Sequence, residues 1–234
     1  MVKPNTSKKA PKGSIKFSLT LSEEQKAAKQ AILHHPFNFI VGKAGSGKTL
    51  LACQVALDMF FKRMINKIII TRPTVSTEDN GFLPGSEKEK MEPWIVPIKS
   101  NMRKIYNKPL ILEKMEKDET IELVSLAHFR GRTFENSVVI VDEFQNCNFH
   151  ELDSIITRIG KGSRVIFSGD YYQSDFTNRK EKEGIGEFLK IIESLKHFKK
   201  VEFTWKDCVR SGMVRDYLMT KEKMIEDNAI NIPK

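Results

Sequence analysis

The sequence has few cysteines, and their spacing does not suggest a shared site. Cys53, Cys147 and Cys208 are the only three in 234 residues, and no two of them form a C-x-x-C pair. A disulfide-stabilised secreted domain needs more cysteines, and a cysteine-rich zinc site needs closer ones. We therefore expect three reduced thiols in a cytosolic protein.

Long apolar segments are also missing. There is no run of eighteen apolar residues, so the sequence predicts no transmembrane helix. Residues 1–16 carry five lysines but lack the apolar core of a signal peptide. These two absences favour a cytoplasmic location, and the length is that of one ordinary domain with a single large core.

Acidic residues are outnumbered by basic ones, which gives a formal net charge of +9 and a sequence pI near 9.3. No acid precedes Glu23, and residues 62–72 and 99–108 are basic runs without an acid. Tyr106 lies within the second run and Trp94 shortly before it, a mixture typical of single-stranded nucleic acid binding. A solvated basic helix face beside a disordered tail would look similar. The charge thus indicates a polyanionic partner without identifying it.

One stretch carries a specific motif for binding phosphate. Residues 37–41 predict a buried strand, residues 50–61 predict a helix, and G-x-x-x-x-G-K-T lies between them. Its backbone N–H groups would surround a phosphate chain at the positive end of the helix. Lys48 would reach the β- and γ-phosphates, and Thr49 would hold Mg²⁺. The predicted nucleotide-binding residues are Gly42, Lys43, Ala44, Gly45, Ser46, Gly47, Lys48 and Thr49.

A second apolar run, residues 137–141, ends in Asp142 and Glu143. Asp142 would hold the magnesium ion through water, and Glu143 would polarise the water that attacks the γ-phosphate. Two solvated charges at a strand end are the alternative, but the phosphate loop earlier in the chain favours catalysis. Because no N-K-x-D string for guanine occurs at the expected spacing, we predict ATP rather than GTP.

Strands and helices alternate along the chain, which predicts one α/β domain with a mostly parallel sheet and helices on both faces. Residues 1–18 are expected to be a basic disordered tail, 19–222 the domain and 223–234 a C-terminal tail. Residues 74–92 predict a long polar loop, functional or mobile, followed by a basic helix at 94–106. The acidic segment 113–119 is expected to be exposed.

Several motifs in order resemble the first RecA-like domain of superfamily 1 helicases. They are residues 21–26, the phosphate loop, residues 141–143 and residues 169–173. More narrowly, the chain is similar to the PhoH family of phosphate-starvation-inducible ATPases at residues 71–73, 81–85, 130–134, 142–146 and 207–210. The match runs from about residue 20 to 220 and implies a RecA-like P-loop NTPase fold.

The resemblance implies further roles at the nucleotide. Gln25 would read the adenine edge with its amide, and Gln173 would sense the γ-phosphate. Asp170 would support the metal or its waters. Arg210 would contact the γ-phosphate and stabilise charge during transfer, unless it only forms a surface ion pair. Weaker candidates for that arginine are Arg130 and Arg132.

The resemblance also implies a partner for the basic surface. Thr71 and Arg72 lie where related helicases contact single-stranded nucleic acid, and Lys99 and Arg103 belong to the basic helix. Helicases of this type bind ATP between two RecA-like folds, whereas this chain has room for one. We therefore expect a homo-oligomer, a hexameric ring in keeping with the family, with ATP at the subunit interfaces.

The expected function is an ATPase that couples hydrolysis to binding, translocation along or unwinding of single-stranded RNA or DNA. One alternative is an ATP-dependent switch or assembly factor that never moves on nucleic acid. Another is a ribonuclease component, although the sequence shows no separate acid cluster for two metals. A metabolic kinase would need an acceptor pocket and a lid, for which we find no candidate residues.

Overall fold

A computed structural model of the chain describes residues 21–73, 87–170, 179–204, 207–208, 212–227 and 229–230. The expected N-terminal tail and residues 74–86 of the expected loop lie outside this part. From Glu87 onward the chain is helical, so the loop prediction is wrong for residues 87–92. The sequence prediction started the helix after Pro93, yet that proline lies within it, preceded by a run of strong helix formers.

The strands form one six-stranded sheet in which every neighbouring pair is parallel. The order is β3-β2-β4-β5-β1-β6. This confirms the predicted parallel α/β sheet. The strands are β1 (Phe37–Gly42), β2 (Lys67–Thr71), β3 (Ile121–Leu123), β4 (Ser137–Asp142), β5 (Arg164–Gly169) and β6 (Phe198–Phe203).

Seven α-helices surround the sheet in the described part of the chain. They are α1 (Glu23–His34), α2 (Lys48–Phe61), α3 (Glu87–Ile105), α4 (Pro109–Lys117), α5 (Phe149–Ile156), α6 (Arg179–Glu193) and α7 (Gly212–Glu226). The acidic segment 113–119 falls mostly in α4, and α7 extends past the predicted domain boundary at 222. Within the described ranges no helix is both long enough and apolar enough to span a membrane.

Both faces of the sheet are buried at the central strands β1, β2, β4 and β5, because alternate strand residues contribute to two separate apolar clusters. Ile68 and Ile70 face one cluster with α1, α2, α3 and α4, whereas Ile69 faces the other with α5 and α6. Since neither face meets water at these central strands, they need apolar residues at consecutive positions. This accounts for the unbroken isoleucine and valine runs in the sequence.

Phenylalanine rings fill the cluster beneath the phosphate loop. Phe39, fully buried in β1, stacks on Phe167 of β5 with ring centroids 4.4 Å apart. It also meets the edge of Phe144 at 4.9 Å and contacts Phe188 and Phe198. Aromatic pairs of this kind add to the free energy gained from burial. The strand that ends in the phosphate loop is therefore fixed by packing from several neighbouring elements.

The cysteines are free thiols, as the sequence indicated. Cys53 and Cys147 are buried, and burial raises the pKa of each thiol above its usual range. A thiol held neutral in the core is a poor nucleophile and a poor metal ligand. We therefore assign both to packing.

Candidate functional site

A cavity of about 430 Å³ lies at the carboxyl ends of the strands, where open parallel sheets bind ligands. One wall is the phosphate loop with the start of α2, and another is formed by the ends of β4 and β5. The side chains of α3 close a third side. The lining includes the charged and hydroxyl side chains of Lys48, Thr49, Arg72, Lys104, Asp142 and Glu143.

The phosphate loop begins with a glycine, because β6 approaches its backbone too closely for any side chain. Gly42 has φ +148°, and a Cβ built on it would lie 2.5 Å from the Phe203 carbonyl oxygen. Gly47 precedes α2 in a left-handed conformation with φ +82°. Between them, Ser46 donates from its hydroxyl to the Lys43 carbonyl at 2.8 Å, which closes the turn. The loop therefore wraps onto the amino terminus of a 14-residue helix, the arrangement that binds anions.

Lys48 is nearly buried and is folded back onto its own loop. Its Nζ donates to the carbonyl oxygens of Gly42 and Lys43, the latter at 2.9 Å. Burial lowers the pKa of this ammonium, and the nearby carboxylate of Asp170 opposes the shift. The charge is thus held at the loop, beside the space that a phosphate chain would fill.

Thr49 and Asp142 lie together as the sequence predicted for a magnesium site. The Thr49 hydroxyl donates to Asp142 Oδ1 at 2.7 Å and lies 3.4 Å from the Ser168 hydroxyl. Burial raises the pKa of Asp142, and the hydrogen bond from Thr49 opposes that shift. One hydroxyl and one carboxylate, completed by phosphate and water, suit Mg²⁺. No group of three or more His, Cys, Asp or Glu side chains in the described ranges offers another metal site.

Glu143 follows Asp142 with its backbone in the left-handed region, at φ +54° and ψ +44°. Its Oε2 accepts a hydrogen bond from Gln145 Nε2 at 2.6 Å, and Gln145 Oε1 accepts one from the Asp170 backbone N–H at 3.1 Å. Gln145 therefore joins the end of β4 to the end of β5. The sequence prediction gave this residue no role of its own.

Arg72 lies at the same cavity, directly after β2. Its Nη1 is 3.7 Å from Asp142 Oδ2, and its Nη2 is 3.8 Å from Glu143 Oε1. The residue before it, Thr71, is fully buried, so a contact with nucleic acid would first require its side chain to become exposed. The sequence prediction placed both residues at a nucleic-acid surface.

Gln25 occupies a buried junction between α1 and the phosphate loop. Its Nε2 donates to the carbonyl oxygens of Ser46 and Asp207, both at 3.2 Å. Its Oε1 accepts from the Ser22 backbone N–H, and Ser22 in turn caps α1 through a capping box. Reading adenine stays a prediction for Gln25, and it would require the amide to exchange one of these bonds.

The remaining predicted residues either lie away from the cavity or fall outside the described part of the chain. Lys99 pairs with Glu116 at 3.1 Å and Arg103 lies 3.9 Å from Glu113, so both contact the acidic face of α4. Arg132 pairs with Glu122 and does not line the cavity. Gln173 and Arg210 lie outside the described residues, and their roles stay predictions.

Sequence reasoning missed that α3 contributes to this cavity. Pro97, Asn101 and Lys104 line it, at a spacing that places them on one helix face. The neighbouring face carries Ile95, Ile98 and Met102, all buried, and α3 packs against α2. The helical period was visible in the sequence, but it does not show which polar face would meet the phosphate loop.

Comparisons with known proteins agree with this geometry. The sequence profile of the family described as "PhoH-like protein" matches residues 19–221. A PhoH-like protein of Synechocystis is 33% identical over 216 residues, covering 92% of this chain and 65% of the relative. Protein PhoH of Escherichia coli is 33% identical over 197 residues, covering 83% and 55%. The chain thus spans between half and two thirds of the length of these relatives.

Solved structures with a similar fold include the large terminase of a thermophilic bacteriophage. Its TM-score is 0.51 at 13% identity, covering 85% of this chain and 50% of the terminase. The same terminase in complex with ATP-gamma-S gives 0.51 at 12% identity, covering 85% and 48%. At such low identity the likeness concerns the fold alone, a single RecA-like P-loop domain.

Proposed function

Because the chain belongs to the PhoH-like protein family, we propose that it is an ATPase that couples hydrolysis to binding and movement on single-stranded nucleic acid. One observation carries the ATPase part of this proposal. Lys48 and Thr49 of the phosphate loop meet Asp142 and Glu143 at one cavity, with Thr49 and Asp142 2.7 Å apart. The loop binds phosphates and the carboxylates serve the metal and the attacking water.

The residues divide the work of hydrolysis among them. The N–H groups of the loop and the start of α2 would hold the triphosphate, and Lys48 would turn from the loop carbonyls to its β- and γ-oxygens. Thr49 and Asp142 would hold Mg²⁺, which when bound neutralises phosphate charge. Glu143, half-exposed at the cavity, would orient water and accept its proton. A bound ATP analogue in the terminase of similar fold is consistent with this use of the fold.

The nucleic-acid part rests on charge and on family membership. The net charge of +9 favours a polyanion, and Lys99 and Arg103 are basic side chains of α3. Both are already near acids of α4, so a strand of RNA or DNA would have to compete with those ion pairs. Translocation and unwinding are the activities that we propose for this coupling.

ATP hydrolysis is expected to rise severalfold when single-stranded RNA or DNA is added to the purified protein. Phosphate contacts release counterions, so the stimulation should fall steeply as salt rises from about 50 to 200 mM. The stimulation is measured as the rate of phosphate release with single-stranded and with blunt duplex oligonucleotides of the same length. A rate of hydrolysis that neither polymer changes would instead favour an ATP-dependent switch or assembly factor.

A ribonuclease component is the other alternative, and labelled RNA distinguishes it. Shortening of the RNA would indicate cleavage, whereas a change from duplex to single strand at constant length would indicate unwinding. No group of three or more His, Cys, Asp or Glu side chains that could hold a metal ion occurs in the described ranges. The cytoplasmic location expected from the sequence stays a prediction.

We also propose that the active form is a homo-oligomeric ring, a hexamer, with a neighbouring subunit completing each site. Sedimentation with ATP and Mg²⁺ should show an assembly larger than the 26.9 kDa chain. If Arg210 acts across the interface, inactive Lys48→Ala and Arg210→Ala proteins should partly restore activity when mixed. A fully active monomer would contradict the ring, and mixtures without rescue would place Arg210 in its own subunit.

A further inference from the structure

Arg72 has a position that the nucleic-acid role does not explain. Its side chain is 21% exposed and points into the cavity that holds the phosphate loop, rather than outward. There its guanidinium lies within 4 Å of both Asp142 and Glu143. A residue that served mainly to bind an external polymer would not be expected between two carboxylates at the nucleotide cavity.

The sheet register fixes Arg72 at this place. Strands β2 and β4 are parallel neighbours, and Thr71 is the partner of Val141. The next residues along the chain are Arg72, directly after β2, and Asp142, the last residue of β4, so both follow this pair at the same edge of the sheet. Burial of Thr71 at 0% exposure fixes the backbone immediately before the arginine. The arrangement is therefore a property of the central sheet and not of a flexible loop.

The position of the guanidinium also suits a contact with a phosphate group in the cavity. Both separations, 3.7 and 3.8 Å, are longer than the roughly 2.7–3.2 Å of a direct N–H···O hydrogen bond. A guanidinium presents five N–H groups in a plane and matches phosphate oxygens in a bidentate manner. A phosphate bound to Lys48 and Thr49 would place such oxygens in the same cavity.

We propose that Arg72 contacts the γ-phosphate of ATP within its own subunit and stabilises the charge that develops during hydrolysis. The inference rests on the proposed ATPase function. In the reaction the water oxygen bonds to the γ-phosphorus while the bond from that phosphorus to the β–γ bridging oxygen breaks. The products are ADP and inorganic phosphate, and the proton released by water passes through Glu143 to solvent. Arg72 is thus a catalytic residue supplied in cis by β2.

Substitution of Arg72 tests this directly. Arg72→Gln keeps a polar side chain without the charge or the guanidinium and should lower kcat by about 10²–10³-fold without added polymer. Arg72→Lys keeps the charge but not the planar fork and should lower kcat by about tenfold. The control is Arg215→Ala, an exposed arginine on α7, which should leave the rate unchanged.

A binding measurement separates charge stabilisation from a merely structural effect. The wild-type protein should bind ADP with aluminium fluoride, a mimic of the transferring phosphate, more tightly than ADP alone. Arg72→Gln should lose at least about tenfold of that preference while its affinity for ADP alone stays within about twofold. Mixing Arg72→Gln with Lys48→Ala should restore no activity, because both residues belong to one site.

The outcomes distinguish this inference from the proposed function. Wild-type protein without ATPase activity would overturn both. Normal wild-type hydrolysis with unchanged Arg72→Gln hydrolysis would overturn only the role of Arg72. If Arg72→Gln has a normal basal rate but is no longer stimulated by polymer, the inference is overturned and Arg72 binds nucleic acid instead. If circular dichroism shows that Arg72→Gln does not fold, the rate of Arg72→Lys is the test. A rate for Arg72→Lys equal to that of the wild type overturns the inference.

Discussion

Glu143→Gln is expected to slow ATP hydrolysis by about 10²–10⁴-fold, the usual contribution of a general base. Glutamine has nearly the same shape as glutamate but cannot accept a proton from water. Its amide oxygen can still accept the hydrogen bond that Gln145 donates at 2.6 Å, so the link to β5 should survive. ATP affinity should therefore change by no more than about threefold, because the loss concerns the chemical step.

Phosphate release under single-turnover conditions measures the rate, and competition with a fluorescent ATP analogue measures affinity. The matched control is Glu187→Gln on α6. Glu187 is exposed and pairs with Lys190 of the same helix, and neither residue lines the cavity. It should behave as wild type, since exposed ion pairs contribute little. If Glu143→Gln kept more than about a third of the rate, another group would have to activate the water.

Phe39→Ala is expected to cost about 3–5 kcal/mol of unfolding free energy, the range for truncating a buried phenylalanine. The ring is fully buried and contacts Phe144, Phe167, Phe188 and Phe198. Its removal leaves a cavity that rings from four different elements would have to fill. A domain of this kind has only about 5–15 kcal/mol in total, so the variant should be close to unfolding at physiological temperature.

Urea unfolding followed by circular dichroism gives the free energy, with wild type and variant compared at the same slope. Phe198→Ala serves as the control, because Phe198 is half-buried and belongs to the edge strand β6. It should lose only about 1 kcal/mol, the centre of the usual distribution. A loss below about 1 kcal/mol for Phe39→Ala would mean that the aromatic cluster closes around the gap.

The sequence predicted those parts of the protein that depend on local pattern. The isoleucine run of β2 and the valine run of β4 indicated strands buried on both faces, and the structure confirms this. The phosphate loop was predictable because its glycines, lysine and threonine lie within eight consecutive residues. The helix α3 was placed seven residues too late, since Pro93 suggested a start and not an interior position.

The relationships between distant residues were not predictable in the same way. The resemblance to helicases places Arg72 at nucleic acid, whereas its proximity to Asp142 depends on the register of β2 against β4, which pattern alone does not give. The adenine role of Gln25 comes from the resemblance and stays a prediction, and its bonds to Ser46 and Asp207 were not predictable because they join segments far apart in sequence. The α3 wall of the cavity depends on how that helix rotates when it packs on α2.

The place of β1 in the sheet has a consequence for the order of synthesis. The strand that carries the phosphate loop pairs with β5 and β6, so Phe37 lies beside Val165 and Phe198, residues translated long after it. Parallel pairings between such distant segments form slowly and leave apolar strands exposed on the nascent chain. Gly42 packs against Phe203, the last residue of β6. A nascent chain that has not yet reached Phe203 lacks the strand against which Gly42 packs. We therefore expect the capacity to bind nucleotide to arise late in translation, well after the phosphate loop itself has been synthesised.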